Sequence, residues 1–207
     1  MADKLFNEAE QYLLGRWSDA YLLATQLDRV RGKYKELCQK TVDATLETHK
    51  DLNIAEVYAT QFWGPGSIGV GKKGWPLKKN GAISGFWIGN IRLEVLLDEE
   101  GALPNASVWV EKRAWSEDFD KLKSDIRVGT SSILTKDEKA RWKYDDPEED
   151  GTILWYEFPE SKKELLAMLL NGSGNQFVEC IAAHFESLAR FTQVLDEVLV
   201  KKAGSVK

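Results

Sequence analysis

Apolar residues recur at steps of three and four from the N-terminus onward: Phe6, Ala9, Leu13, Trp17, Ala20, Ala24, Leu27, Tyr34, Cys38 and Thr41, in a stretch without proline. That period predicts a helix over residues 3–49 with one buried stripe, close to a heptad pattern. At ~1.5 Å per residue it would extend ~70 Å, further than a small domain is wide, so it must bend, protrude or find a partner. Gly15 and Gly32 are its weak points, because glycine disfavours a helix interior. The stripe keeps phase across Gly15, which favours continuity there. Gly32 lies among Arg29, Arg31, Lys33 and Lys35, and a bend is expected at that point. Those basic residues read as a solvated face paired with Asp28 and Glu36 in preference to a phosphate-binding one.

From residue 52 the pattern changes. Ile54, Val57, Tyr58, Phe62 and Trp63 predict a first strand within 52–63. Residues 64–81 hold six glycines, two prolines and four lysines, a composition that predicts a long functional or mobile loop. From Ile83 to Leu97 the odd positions read Ile, Gly, Trp, Gly, Ile, Leu, Val and Leu. This period of two has Ser84, Asn90, Arg92 and Glu94 on the opposite face. Fifteen residues exceed a usual strand, so Gly89-Asn90 is read as a hairpin turn that splits the run. Ser107 to Arg113 predicts a further strand.

Helical signals then return. Ser116 reads as an N-cap for a helix carrying Phe119, Leu122 and Ile126 and ending at Gly129. Thr135-Lys136-Asp137-Glu138 reads as a capping box, and residues 141–158 as a hairpin turning through the acidic segment 145–151. Ser161-Lys162-Lys163-Glu164 opens a short helix stopped at Asn171-Gly172. Asn175 is read as the cap of a last helix, 175–202, with the stripe Phe177, Ile181, Phe185, Leu188, Thr192, Leu195 and Leu199.

The expected fold is therefore α+β: one domain over 1–207 with an antiparallel sheet of about five strands and long N- and C-terminal helices against it. Its parts are a long helix (1–50), a sheet-rich core with one inserted helix (52–158) and a helical pair (160–203). The 43% hydrophobic and 29% charged fractions are those of an ordinary globular chain. Seven of the eight tryptophans lie between Trp63 and Trp155. A net charge of −5 supplies no general attraction to nucleic acid or anionic membrane, since both are negative. Cys38 and Cys180 stand among apolar neighbours and predict buried, reduced thiols. Without a signal pattern or an apolar run of membrane-spanning length, the expected location is the cytoplasm.

Three sets of residues could carry chemistry. Gly66, Gly69, Gly71, Lys72 and Lys73 follow the phosphate-binding loop spacing up to its last position, where Lys73 replaces the hydroxyl that would hold magnesium. Gly74-Trp75-Pro76 follows where a helix is required. The segment, with Trp75 beside its lysines, reads as a basic flap able to touch an anion. Glu94, Asp98, Glu111 and Lys112 are acids and a lysine on neighbouring predicted strands. They partly follow the Asp…Glu-x-Lys arrangement of magnesium-dependent nucleases of restriction-endonuclease type. The spacing departs from it, because Lys112 directly follows Glu111. Cys180 and His184, one helical turn apart, could be half of a metal site, but with no further Cys or His nearby they read as a packed pair and no metal is assigned.

The leading expectation is a protein-interaction or assembly protein without a catalytic set and without a cofactor. It would work through its helices as a homodimer or with a partner protein. The alternatives are a magnesium-dependent nuclease-like domain, active or decayed, and a nucleic-acid-binding module using the glycine-lysine segment.

Overall fold

Six strands form one antiparallel sheet in the order β1-β2-β3-β4-β6-β5. The computed structural model describes residues 7–59, 65–75, 83–98, 100–112, 119–144, 151–170 and 174–200. In chain order the elements are α1 (Glu8–Gly15), α2 (Trp17–Thr48), β1 (Ile54–Ala59), β2 (Pro65–Gly71), β3 (Gly85–Gly89) and α3 (Leu93–Leu97). There follow β4 (Asn105–Trp109), α4 (Phe119–Ile133), α5 (Lys136–Arg141), β5 (Lys143–Tyr144), β6 (Thr152–Glu157), α6 (Lys162–Leu170), α7 (Asn175–Ala189) and α8 (Thr192–Leu195). A π-helical turn, Asp196–Val200, continues α8. The class is the expected α+β, with the long N-terminal helix packed on the sheet.

Alternation along the strands decides which sheet face is covered. Ile68 and Val70 of β2, Phe86 and Ile88 of β3, Ala106 and Val108 of β4, and Leu154 and Tyr156 of β6 are all buried. They meet α2 and α7, whose own buried stripes are Tyr34, Cys38 and Val42, and Phe177, Ile181, Phe185 and Leu188. The opposite face carries the cross-strand row Glu56, Gly69, Trp87, Ser107, Trp155 and Lys143.

Several expected boundaries move. The N-terminal helix breaks after Gly15, not at Gly32. Arg16 leaves helical geometry (φ −125°, ψ 34°) and its N–H donates to the Leu13 carbonyl, while α2 runs through Gly32 without interruption. A good capping box of Asn7 and Glu10 makes α1 a helix in its own right.

Residues 65–71 form β2 where a loop was expected. Its glycines fit close neighbours, for a Cβ on Gly69 would stand 2.7 Å from the Trp87 ring and one on Gly71 2.7 Å from the Ser84 carbonyl oxygen. Gly89-Asn90 is no hairpin turn. Asn90 adopts a left-handed conformation (φ 55°) that ends β3, and residues 93–97 turn into a short helix burying Leu93 and Leu96.

The capping boxes at Thr135 and Ser161 form as expected. The last helix starts on Gly174 (φ 69°), not on an Asn175 cap, and is interrupted at Arg190-Phe191. The expected Ser116 cap, Trp63, the second half of the glycine-lysine segment from residue 76 to 81 and the turn 145–150 lie outside the described residues. Among the described residues no helix is long and apolar enough to cross a membrane.

Candidate functional site

The heptad spacing of α2 continues through Ala20, Ala24, Leu27, Arg31, Tyr34, Cys38, Thr41 and Thr45. Its C-terminal half is covered: Tyr34, Cys38, Thr41, Val42 and Thr45 are buried against β1, β2 and α7. Tyr34 is the first buried residue of the chain among those described, and its hydroxyl donates to the Ile91 carbonyl just beyond β3. Burial of the same pair pushes the Cys38 thiol up to about 12 and the Tyr34 phenol well above its usual range.

N-terminal to Tyr34 the same seam is only partly shielded, with Ala20, Leu27 and Arg31 half-buried and Ala24 exposed. No residue from 7 to 33 is buried. Trp17 is 64% exposed, Tyr21 68%, Leu22 59% and Leu23 64%, with Tyr12, Leu13, Leu14 and Val30 also open. Residues 8–33 form an apolar arm of two helical pieces, α1 and the first ~26 Å of α2, at the end of the sheet that carries Ile91. Isolated exposed leucines are ordinary, whereas these open side chains are close neighbours along the two helices. Charge is divided along the arm. Glu8, Glu10 and Asp19 sit in its outer part with Arg16, while Arg29, Arg31 and Lys33 sit at its base with Asp28, which pairs with Arg31 at 2.9 Å.

The carboxylates singled out from the sequence do not share a cleft. The ladder pairs Gly89 with Asn105 and Gly85 with Trp109, which fixes two opposite ends for β3 and β4. Glu94 and Asp98 follow the Gly89 end on and after α3, whereas Glu111 and Lys112 follow the Trp109 end. The length of the ladder, ~13 Å, separates the two pairs. Each is engaged locally. Glu94 pairs with Arg92 at 3.3 Å, and the buried Lys162 donates to the Asp98 and Gly101 carbonyls at 2.5 and 2.7 Å. The backbone N–H of the buried Glu111 donates to the Ser84 hydroxyl at 3.0 Å, and the Lys112 ammonium lies 5.8 Å from the Phe119 ring centre.

The glycine-lysine segment is tied to the C-terminal turn. Lys72 Nζ bonds Asp196 Oδ2 at 2.5 Å, and Trp75 Nε1 donates to Asp196 Oδ1 at 2.9 Å. Trp75 is buried with its ring edge-on to Phe86. Gly66, Gly69 and Gly71 lie in β2, so no loop cradles an anion there. Lys73 is exposed, and its backbone N–H donates to Asn53 Oδ1 at 2.7 Å.

Cys180 and His184 stand one turn apart on α7, and Glu160, from the turn after β6, joins them. One donor atom from each lies within 4.8 Å of the other two. His184 Nε2 is 3.1 Å from Glu160 Oε2, and its Nδ1 is 2.8 Å from the Tyr156 hydroxyl. Phe158 stacks on the imidazole at 3.5 Å. Burial lowers the His184 pKa against the opposing pull of Glu160, and burial raises the Cys180 thiol to about 11. A thiol held that high is no nucleophile at neutral pH. Sequence spacing could not reveal Glu160 here, because it sits 20 residues before Cys180 and belongs to no local motif.

Comparison with protein-family models, with curated proteins and with solved structures gives no match for this chain.

Proposed function

We propose that this is a non-catalytic assembly protein that works through its N-terminal helical arm, and that the arm's partner is a second copy of the same chain. The observation that carries this reading is the run of large apolar side chains from Tyr12 to Val30 that stand open to solvent, next to a seam buried from Tyr34 to Thr45. Apolar surface on that scale costs free energy in water and gains it when two such seams meet. The divided charge favours an antiparallel twofold pairing. Glu8, Glu10 and Asp19 of one arm would then face Arg29, Arg31 and Lys33 of the other, and an isologous contact closes on itself. Arg31, at a seam position, would select that register as a polar residue does in a coiled coil.

Light scattering coupled to size exclusion tests the proposal directly. The chain mass is 23.4 kDa, and a particle of about twice that mass at micromolar concentration is expected. Leu23→Glu with Leu27→Glu should return it to the monomer mass without loss of the folded core. Glu8→Lys with Glu10→Lys should weaken association, and adding Arg29→Glu with Arg31→Glu should restore it. A wild-type chain that stays at monomer mass refutes the reading.

A further inference from the structure

We infer that Cys180, His184 and Glu160 form a site for one zinc ion, with the fourth coordination position open to solvent. The donor set is a thiolate, an imidazole nitrogen and a carboxylate oxygen. That mixture suits a borderline-soft divalent cation and does not suit magnesium or calcium, which take oxygen ligands. The three donors lie within 4.8 Å of one another. Ligand atoms around a tetrahedral zinc ion, each at ~2.0 to 2.3 Å from the metal, need only a small inward shift from there.

Two features go beyond proximity. First, the donors come from two elements that hold them independently. Cys180 and His184 project from one face of α7 at a spacing of one turn, while Glu160 stands immediately before Ser161, the N-cap of α6. Second, the imidazole already has the support that a metal-bound histidine requires. Phe158 stacks on its face, and the Tyr156 hydroxyl meets the nitrogen that the metal would not use. His184 is buried while Glu160 and Cys180 are half-buried, so an ion seated between them would keep one side toward water. Three protein ligands with an open position is the arrangement of zinc sites that bind a further ligand, not of closed structural ones.

The protons balance. Without metal, neutral His184 donates from Nε2 to Glu160 and accepts at Nδ1 from Tyr156. Loading moves the imidazole proton to Nδ1, where it is donated to the Tyr156 oxygen. The displaced Tyr156 hydroxyl hydrogen turns away from the imidazole. The Cys180 thiol gives up its proton to solvent, so binding releases one proton per ion near neutral pH. Thiolate and carboxylate together match the dipositive charge. Arg141, whose guanidinium lies 4.1 Å from the Tyr156 ring centre, is the cation that opposes it.

The test uses the full chain, reduced and stripped of metal. Zinc titrated against a chromophoric chelator should be taken up at one equivalent. Cobalt should give thiolate-to-metal charge-transfer absorption with tetrahedral d–d bands. Cys180→Ser should abolish the charge-transfer band while Cys38→Ser keeps it. Tyr156→Phe, which preserves the ring, should weaken zinc binding by about 10- to 100-fold. Zinc should also shield wild-type Cys180 from alkylation, a readout that needs no variant to fold. No uptake at micromolar zinc, a cobalt spectrum without a thiolate band, or a band that persists in Cys180→Ser each overturns the assignment.

Discussion

The indole of Trp87 occupies the space where a side chain on Gly69 would begin. Its Cδ2 and Cε2 would lie 2.7 Å from a Cβ at that position. The two residues are direct cross-strand partners of β2 and β3. The ring is not free to retreat, since its Nε1 donates to the Ile83 carbonyl at 2.9 Å and it stands edge-on to Trp109. Gly69→Ala is therefore expected to destabilise the fold by about 1 to 3 kcal/mol. In a Trp87→Leu background most of that cost should vanish, and a double-mutant cycle by urea unfolding measures the difference.

Asp196 accepts from both Lys72 and Trp75 and so fastens the segment after β2 to the π-helical turn. Asp196→Ala leaves both donors without that acceptor and should cost about 1 to 3 kcal/mol. Asp196→Asn keeps an acceptor for the indole and should cost less. Limited trypsin digestion gives a local readout, with cleavage after Lys72 or Lys73 accelerated in the alanine variant.

Acid should loosen the start of α5. Glu138 closes the capping box with the Thr135 backbone and pairs with Arg190 at 2.6 Å, and these bonds, the Thr135 backbone first, hold its carboxyl down to about 2. A lowered folded-state pKa stabilises above the unfolded value of 4.5 and is lost as pH falls toward about 2. Unfolding free energy should fall across that window, and Glu138→Gln should flatten the decline. Thr135→Ala, which removes the N-cap, should cost about 1 kcal/mol at neutral pH.

Removing residues 1–30 should leave the core intact, because no described residue of that stretch is buried. The truncated chain is expected to keep its near-ultraviolet circular dichroism and unfold cooperatively. Truncation through Cys38 should abolish cooperative unfolding, because it takes Tyr34 and Cys38 from the core and leaves the Ile91 carbonyl without the Tyr34 hydroxyl.

What the sequence made legible was the local chemistry. The stripes of α2 and α7 follow helical period because one side of each meets the sheet, and Thr135 and Ser161 cap because their partners lie three residues away. What it concealed depended on distant neighbours. Gly66, Gly69 and Gly71 have turn composition, yet they form β2 because Trp87 and the Ser84 carbonyl come too close for larger side chains at two of those positions. Glu94 looked like part of an alternating strand, but the left-handed turn at Asn90 ends β3 first. Glu111 and Asp98 looked like neighbours until the antiparallel ladder set them at its two ends. The N-terminal half of α2 carries the same pattern as its buried half, so sequence could locate the seam but not where full burial begins.

The position of β6 between β4 and β5 has a consequence for how the chain emerges during synthesis. Strands β1 to β4 can zip up in order as a meander, but the free edge of β4 is closed only by Thr152–Glu157, which begins 43 residues after Trp109. At roughly 5 to 20 residues per second, that leaves a half-built sheet with an open backbone edge for several seconds on the ribosome. Helix α7, which shares the cover of its inner face with α2, arrives later still. Such an edge is a template for wrong pairing. The nascent chain therefore passes through a vulnerable window that the finished molecule no longer displays.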